Sequence, residues 1–144
     1  MKKVSATGSN KVNRSATKKE YWDLVATGFG YLNRISDHQG ESGPFKSVNI
    51  AALRGKLNDP NNTYLNLVPA GEDILNLVEA LRADVEDGKK VLLAFSFGDF
   101  YPKPFKYQNG KNAGSLGANL NGKLIAISTI KVDGNVVYTA GEET

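Results

Sequence analysis

Aromatic and basic residues suited to holding nucleic acid occur together in several parts of the sequence. Planar rings stack on nucleobases at about 1–3 kcal/mol per base, and cationic side chains pair with backbone phosphates. The alternative is that these rings belong to the core or its rim and that the lysines are simply solvated. The candidate stacking residues are Tyr64, Tyr101, Phe105 and Tyr107, and the candidate phosphate-binding residues are Arg34, Lys46, Arg54, Lys56, Lys103, Lys106 and Lys111. Together they predict binding of single-stranded nucleic acid.

Motifs of nucleotide-binding loops occur only in incomplete form. Residues 117–123 have the glycine and lysine spacing of a phosphate-binding loop, but Leu124 stands where a hydroxyl side chain should hold magnesium. Gly28 and Gly30 begin a dinucleotide-type fingerprint whose third glycine is replaced by Asn33. Bending of the backbone therefore explains these glycines better than nucleotide binding does.

Side chains that catalyse reactions or bind metals are scarce. The sequence has no cysteine, which excludes disulfides, thiolate nucleophiles, zinc fingers and iron–sulfur clusters. The one histidine, His38, cannot build a multi-histidine metal site, and its polar surroundings predict a solvated side chain rather than a catalytic base. We therefore expect neither an enzyme nor a cofactor or metal site.

The net charge of +3 is unevenly distributed along the chain. Residues 1–19 contain six basic residues and no acid, whereas the remainder contains 12 bases and 15 acids. The stretch 72–88 alone holds six acids against one base, Arg82. If this acidic stretch points away from the binding surface, the rest of the domain keeps a mildly basic face.

The length of 144 residues fits one domain with a single core. Residues 1–19 are polar and rich in lysine, so they are predicted to form a disordered basic arm. Residues 20–140 are predicted to form the domain, and residues 141–144 a flexible tail. No apolar run approaches the length of a membrane span and the start of the chain does not resemble a signal peptide, so a cytoplasmic protein is expected.

Alternation of apolar residues predicts several strands, and a change of period predicts one helix. Ile74, Leu77, Val78, Leu81 and Val85 recur at helical spacing, and Gly88 marks the end of the helix. The predicted strands are 21–35, 47–53, 64–68, 91–97 with a continuation through residue 107, 123–132, and 136–138. The segments 37–44, 55–63 and 108–112 are predicted to be loops, and Asp133 with Gly134 is predicted to turn the last hairpin.

This order of elements favours a mainly β fold. A long first strand, a helix between the third and fourth strands and a C-terminal hairpin suit a five-stranded Greek-key barrel of the OB-fold type. A mixed α+β sandwich of the same elements is the alternative. In an OB-fold the second and third strands, with the loops after strands one and four, form the ligand face, and most of the candidate residues fall there.

Several strings of residues resemble those of small proteins encoded on bacterial integrative conjugative elements and plasmids. The strings are Glu20–Leu24, Thr27–Arg34 and Val48–Gly55, with shorter matches at Ala83–Val85, Gly98–Pro102 and Ile130–Gly134. The resemblance covers about residues 20–140, and Thr27–Arg34 is its most specific part. Members of that family are labelled replication proteins or are uncharacterised. The resemblance implies a role in the DNA maintenance of a mobile element, and it assigns no binding residues.

Two functional hypotheses follow from the sequence. The first is a single-stranded-DNA-binding protein that supports replication or transfer of a mobile element, with RNA as another candidate ligand. The second is a protein–protein adaptor in the same replication machinery that does not itself bind nucleic acid. Replication proteins and further copies of the chain are candidate partners, and a membrane is not.

Overall fold

The computed structural model describes residues 22–140, which form six strands and two consecutive helices. The strands are β1 (Val25–Gly40), β2 (Gly43–Lys56), β3 (Asp59–Pro69), β4 (Val91–Lys106), β5 (Leu116–Val132) and β6 (Asn135–Thr139), and the helices are α1 (Glu72–Ala80) and α2 (Arg82–Glu86). The predicted basic arm of residues 1–19 and the predicted tail of residues 141–144 lie outside the described residues.

Strands β1 to β5 form one sheet that closes into a barrel. Antiparallel pairing joins β1 to β2, β2 to β3, β1 to β4 and β4 to β5. The parallel pairing of β3 with β5, over Leu65–Pro69 and Leu120–Leu124, closes the ring. This strand order, with the helices between β3 and β4, confirms the predicted OB-fold-like barrel. The sandwich alternative is wrong because one closed sheet replaces two packed layers.

The core fills the barrel, and α1 covers it at one side. Strand alternation sends one set of apolar side chains inward, and Val78 and Leu81 at the helices join them. The fully buried members are Ile50, Leu65, Leu67, Leu93, Leu124, Ile130, Val48, Val78 and Val91. The helical period over residues 74–85 therefore identified the face of the helix that packs on the barrel.

Two predicted loops are instead parts of long hairpins. Strands β1 and β2 continue to a turn of only two residues, Glu41 and Ser42, and Asp37 pairs with Lys46 in the ladder. In the same way β2 and β3 extend to Lys56 and Asp59. The loop predictions for 37–44 and 55–63 are thus wrong, because cross-strand pairing overrides the low strand propensity of these polar residues.

Two predicted strands begin elsewhere, since β1 starts at Val25 and not at residue 21 and β5 starts at Leu116 and not at residue 123, but two other predictions are confirmed. Strand β4 passes through Pro102 and Pro104 as expected and ends at Lys106. Asp133 and Gly134 both have positive φ, and they turn β5 into β6 as the predicted hairpin. No helix within residues 22–140 combines the length and the apolar character that crossing a membrane requires.

Candidate nucleic-acid interface

An open groove of about 600 Å³ lies on the outer face of the barrel. Each of the five barrel strands contributes to it, and the β1–β2 hairpin supplies one wall. The lining consists of Arg34, Ser36, His38, Phe45, Ser47, Asn49, Asn66, Val68, Asp99, Tyr101, Asn121, Gly122 and Lys123. We refer to this feature as the groove, and it occupies the ligand face expected of an OB-fold.

One row of residues crosses the groove through all five strands. Strand register pairs Arg34 with Asn49, Asn49 with Asn66, and Asn66 with Asn121. Asn121 in turn pairs with Tyr101 on β4. The row therefore has a cation at one end, an exposed ring at the other and amide side chains between them.

The groove is lined by two full cations and one acid. Arg34 and Lys123 are the cations and Asp99 is the acid. Every lining residue belongs to a strand, so the acidic side chains of α1 and α2 take no part in the lining within residues 22–140. The acidic stretch thus does not lie across the groove, which was the condition for a basic binding face.

Aromatic surface is available on both sides of the groove. Tyr101 is 53% exposed on β4, and Phe45 is 42% exposed on the β1–β2 hairpin. The ring of His38 stacks on Phe45 with centroids 4.8 Å apart and an angle of 22° between the planes. His38 Nε2 also lies 2.7 Å from Ser47 Oγ. The side chain of His38 is exposed, as expected of a solvated histidine, and it also contacts these two neighbours.

The β4–β5 hairpin extends the surface beyond Tyr101. Phe105 and Tyr107 meet edge to face with centroids 5.0 Å apart. Phe105 packs over Gly117, where a Cβ atom would lie only 2.7 Å from the ring. Strand alternation puts Lys103 on the same face of β4 as Tyr101 and puts Lys106 on the opposite face, while Lys111 lies in the turn. None of the five predicted residues beyond Tyr101 lines the groove.

Lys46 lies on the side of the β1–β2 hairpin that faces α1. Its neighbours Phe45 and Ser47 line the groove, so alternation turns Lys46 the other way. Lys46 Nζ lies 2.5 Å from Asp37 Oδ1 and 3.1 Å from Glu79 Oε2. Arg82 Nη2 contacts the same two carboxylates at 3.1 and 2.7 Å. We call these four residues the ionic cluster, and it joins the hairpin to the helix.

The ionic cluster shifts the titration of its members. Hydrogen bonds from Arg82 and then Lys46 lower the pKa of Glu79 from 4.5 to about 2. The hydrogen bond from Lys46 is the main cause that lowers the pKa of Asp37. The same bond raises the pKa of Lys46. Lys46 Nζ thus pairs with the carboxylates of Asp37 and Glu79, and Lys46 does not line the groove.

Three further candidate residues lie away from the groove. Arg54 Nε donates a hydrogen bond to Thr63 Oγ1 at 3.0 Å near the end of the β2–β3 hairpin. Lys56 is the last residue of β2 and borders the turn of that hairpin. Tyr64 is 46% exposed on the same outer face as Asn66, but it lines a neighbouring depression with Tyr31 and Asn62. Of the predicted residues, only Arg34 and Tyr101 line the groove itself.

Sequence reasoning missed most of the groove floor and its hairpin wall. Asn49 and Asn66 alternate with the core residues Val48, Ile50, Leu65 and Leu67, so their outward direction was readable from the sequence. Their alignment with each other was not readable, because it depends on strand register. His38 and Phe45 were missed because the segment that holds them was predicted to be a loop.

The fold and the groove define an OB-fold-like barrel with an open groove of polar and aromatic residues on its outer face. In the described part of the chain, no group of three or more His, Cys, Asp or Glu residues is placed to hold a metal ion. The chain belongs to the family described as "Protein of unknown function (DUF3577)", whose model matches residues 15–144. No curated protein and no solved structure shows significant similarity to the chain. The family description carries no function, so the resemblance to replication proteins of mobile elements stays a prediction.

Proposed function

We propose that this protein binds single-stranded nucleic acid, and DNA in particular, along the groove. The observation that carries the proposal is the row from Arg34 to Tyr101, which spans all five barrel strands. A strand laid across this row meets a cation, a polar floor and an exposed ring. OB-folds bind oligonucleotides on this same face.

The charges around the groove suit a phosphate backbone. Arg34 and Lys123 lie in the groove, and Lys103 lies on the face of β4 that carries Tyr101. The six basic residues in 1–19 would add contacts of low specificity. Each phosphate neutralised on a single strand contributes about −0.7 to the slope of log affinity against log salt concentration. We expect binding that weakens steeply as salt is added.

The rings around the groove suit unpaired bases. Tyr101 offers an exposed ring, and the stacked pair of His38 and Phe45 offers a second aromatic surface. Stacking on aromatic side chains tolerates all bases because each base has a π face. A duplex keeps its bases stacked on one another, so the groove favours a single strand over a double strand.

Titration of a fluorescently labelled oligonucleotide with the full-length protein tests the proposal. Anisotropy would be recorded at about 50 and about 200 mM salt, the range over which phosphate-dominated binding changes most clearly. The expected result is binding of the single strand at low salt, weaker binding at high salt, and weaker binding of a duplex of the same sequence. Absence of binding to the single strand at low salt would overturn the proposal.

Arg54 provides a matched control for the groove. Arg34→Ala and Arg54→Ala remove the same charge, but only Arg34 lies in the groove. Arg54 instead donates to Thr63 at the β2–β3 hairpin. We expect Arg34→Ala to weaken binding and Arg54→Ala to leave it within about twofold. Equal effects of the two variants would mean that net charge, and not the groove, holds the strand.

A second candidate function is that of an adaptor, and exposed apolar side chains on β1 and β5 favour it. Val25, Phe29 and Ile125 are 52%, 58% and 41% exposed. Val25 and Ile125 flank Gly98, where a Cβ atom would lie 2.7 Å from Ile125 Cδ1. Exposed apolar patches mark protein contacts. Nuclease-resistant capture of a replication protein, lost in Phe29→Ser and kept in Arg34→Ala, would favour this role.

The proposed setting is replication or transfer of a mobile genetic element. It rests on the resemblance of residues 20–140 to proteins of conjugative elements and plasmids. Single-stranded DNA is exposed during both processes, so a protein that binds it is useful in each. Measuring the retention of an element after deletion of the coding sequence tests the setting separately from the binding.

A further inference from the structure

Four asparagines follow one another across the outer face of the sheet, and three of them line the groove. They are Asn33, Asn49, Asn66 and Asn121, one on each of β1, β2, β3 and β5, and we call them the amide row. Asn33 Nδ2 donates to Asn49 Oδ1 at 3.3 Å, and Asn49 Nδ2 donates to Asn66 Oδ1 at 3.0 Å. The first two amides therefore each donate to the next one, and these two hydrogen bonds run in the same direction.

The last step of the amide row, from Asn66 to Asn121, has no hydrogen bond between the side chains. Asn66 pairs in register with Asn121, but Asn121 Oδ1 is buried and has no hydrogen-bond partner within residues 22–140. Buried polar atoms in folded proteins nearly always have a partner. Asn66 has already used its oxygen as an acceptor for Asn49, so its Nδ2 group is the part left to donate. A donor and an unused acceptor thus lie on adjacent strands of the groove floor.

We propose that Asn66 and Asn121 bind the hydrogen-bonding edge of one unstacked nucleobase. The inference rests on the proposed binding of single-stranded nucleic acid and adds to it that the floor recognises bases. A base edge presents an acceptor beside an N–H donor, such as a ring nitrogen beside an exocyclic amino group. The base acceptor would accept a hydrogen bond from Asn66 Nδ2. Because Asn121 Oδ1 is buried, its side chain would rotate to turn this oxygen towards the groove, where it would accept a hydrogen bond from the base N–H.

The unused acceptor discriminates between parts of a DNA strand. Phosphate oxygens only accept hydrogen bonds, and the deoxyribose ring within a strand has no hydroxyl group to donate. Neither can therefore satisfy Asn121 Oδ1, whereas the N–H groups of the bases can. The two hydrogen bonds from Asn33 and Asn49 fix the orientation of the Asn66 amide before a ligand arrives. Because the Asn66 amide is already oriented, less conformational entropy is lost when a base binds to it.

Apolar base isosteres separate hydrogen bonding from stacking. They keep the shape and the π face of a base but lack its donors and acceptors. The experiment compares a mixed-sequence DNA strand with the same strand built from such isosteres, using full-length protein at one salt concentration. We expect the wild type to bind the natural strand about tenfold more tightly, in line with the discrimination that a good bidentate pair gives.

Asn121→Leu keeps the volume of the side chain and removes its hydrogen-bonding atoms. We expect the variant to bind the isostere strand as the wild type does and to lose the preference for the natural strand. Asn135→Leu is the matched control, because Asn135 lies on β6 and lines a different depression. A merely structural asparagine would instead lower the unfolding temperature when replaced, whereas removal of an unsatisfied buried polar atom leaves that temperature unchanged or raises it.

The outcomes separate this inference from the proposed function. Equal binding of both strands by the wild type would overturn base recognition and leave strand binding intact. A preference that survives in Asn121→Leu would also overturn it. Absence of binding to either strand would overturn the proposed function and this inference together.

Discussion

Lys46 Nζ lies 2.5 Å from Asp37 Oδ1, across the β1–β2 ladder and on the side of the hairpin opposite the groove. The same ammonium group reaches Glu79 on α1 at 3.1 Å. The β1–β2 hairpin carries His38 and Phe45 on its groove side. Its opposite side is therefore joined to α1 through Lys46. The sequence predicts that Lys46 binds phosphate. In the structure, Lys46 instead helps to position the hairpin that forms one wall of the groove.

Lys46→Met should lower stability without a comparable loss of binding. The substitution keeps the aliphatic stem and removes the charge that the two carboxylates share. The members of the ionic cluster are partly exposed, so we expect the unfolding temperature to fall by only about 1–4 °C. Affinity for a single strand should stay within about twofold of wild type, as anisotropy would measure. A loss as large as that of Arg34→Met would return Lys46 to the list of phosphate-binding residues.

The ionic cluster also predicts how stability depends on pH. The pKa of Glu79 is about 2 in the folded protein and 4.5 for the free side chain. The unfolded state therefore binds the proton more readily, and the stabilisation by ionised Glu79 is complete above about pH 4.5. It is lost as the pH falls from about 4.5 towards 2. The lowered pKa of Asp37 acts in the same direction.

Glu79→Gln tests this dependence. The variant should be less stable than the wild type at pH 6, and the difference should shrink as the pH approaches 2. Urea unfolding at a series of pH values measures both curves, with Glu86→Gln as a control because Glu86 lies 3.9 Å from Arg82 at the edge of the cluster. A difference between wild type and Glu79→Gln that stays constant from pH 6 to pH 2 would contradict the assignment.

Gly30 and Gly28 should respond differently to the same substitution. A Cβ atom on Gly30 would lie 2.7 Å from the Ala51 carbonyl oxygen and 2.8 Å from Ala52 Cα, which are backbone atoms that cannot move aside. A Cβ atom on Gly28 meets nothing within 4 Å. Gly30→Ala should therefore destabilise the fold by about 1–3 kcal/mol, the usual effect of overpacking.

Thermal or urea unfolding of the two variants decides the point. Gly28→Ala should match the wild type or exceed its stability slightly, since alanine restricts the unfolded chain more than glycine does. Because neither glycine lies in the groove, strand binding by the folded fraction should not change. A larger loss of stability in Gly28→Ala than in Gly30→Ala would contradict the prediction that the close approach of β2 requires a glycine at position 30.

Much of the barrel could be predicted from local patterns. The alternation around Val48 and Ile50 and the helical spacing around Val78 each record which face is buried. The turn at Asp133 and Gly134 was predictable for a similar reason, because only a few residue types tolerate positive φ. These signals lie within a few residues of one another, so a single sequence contains them.

The groove depends on relations that a single sequence does not contain. Asn49 and Asn121 belong to one row only because β2, β3 and β5 pair in a particular register. The direction of Lys46 depends on whether residues 37–44 form a strand, and pairing with the opposite strand decides that. Residue type alone therefore identified Arg34 and Tyr101 and could not separate them from Lys46 and Arg54.

Arg34 and Tyr101 stand at opposite ends of the row across the groove, and their variants should separate charge from stacking. Arg34→Ala removes one phosphate contact, so the slope of log affinity against log salt should become shallower by about 0.7. Tyr101→Ala removes a stacking surface, so affinity should fall about tenfold at each salt concentration with no change of slope. Tyr101→Phe keeps the ring and should bind as the wild type does.

Anisotropy titrations at four or more salt concentrations measure both quantities for each variant. Arg54→Ala serves as the control for charge, because its guanidinium is bound to Thr63 outside the groove. A change of slope in Tyr101→Ala would show that this variant disturbs the phosphate contacts, and an unchanged slope in Arg34→Ala would show that Arg34 touches no phosphate. Because charge and stacking respond to salt in different ways, the two ends of the row can each be tested without assuming the role of the other.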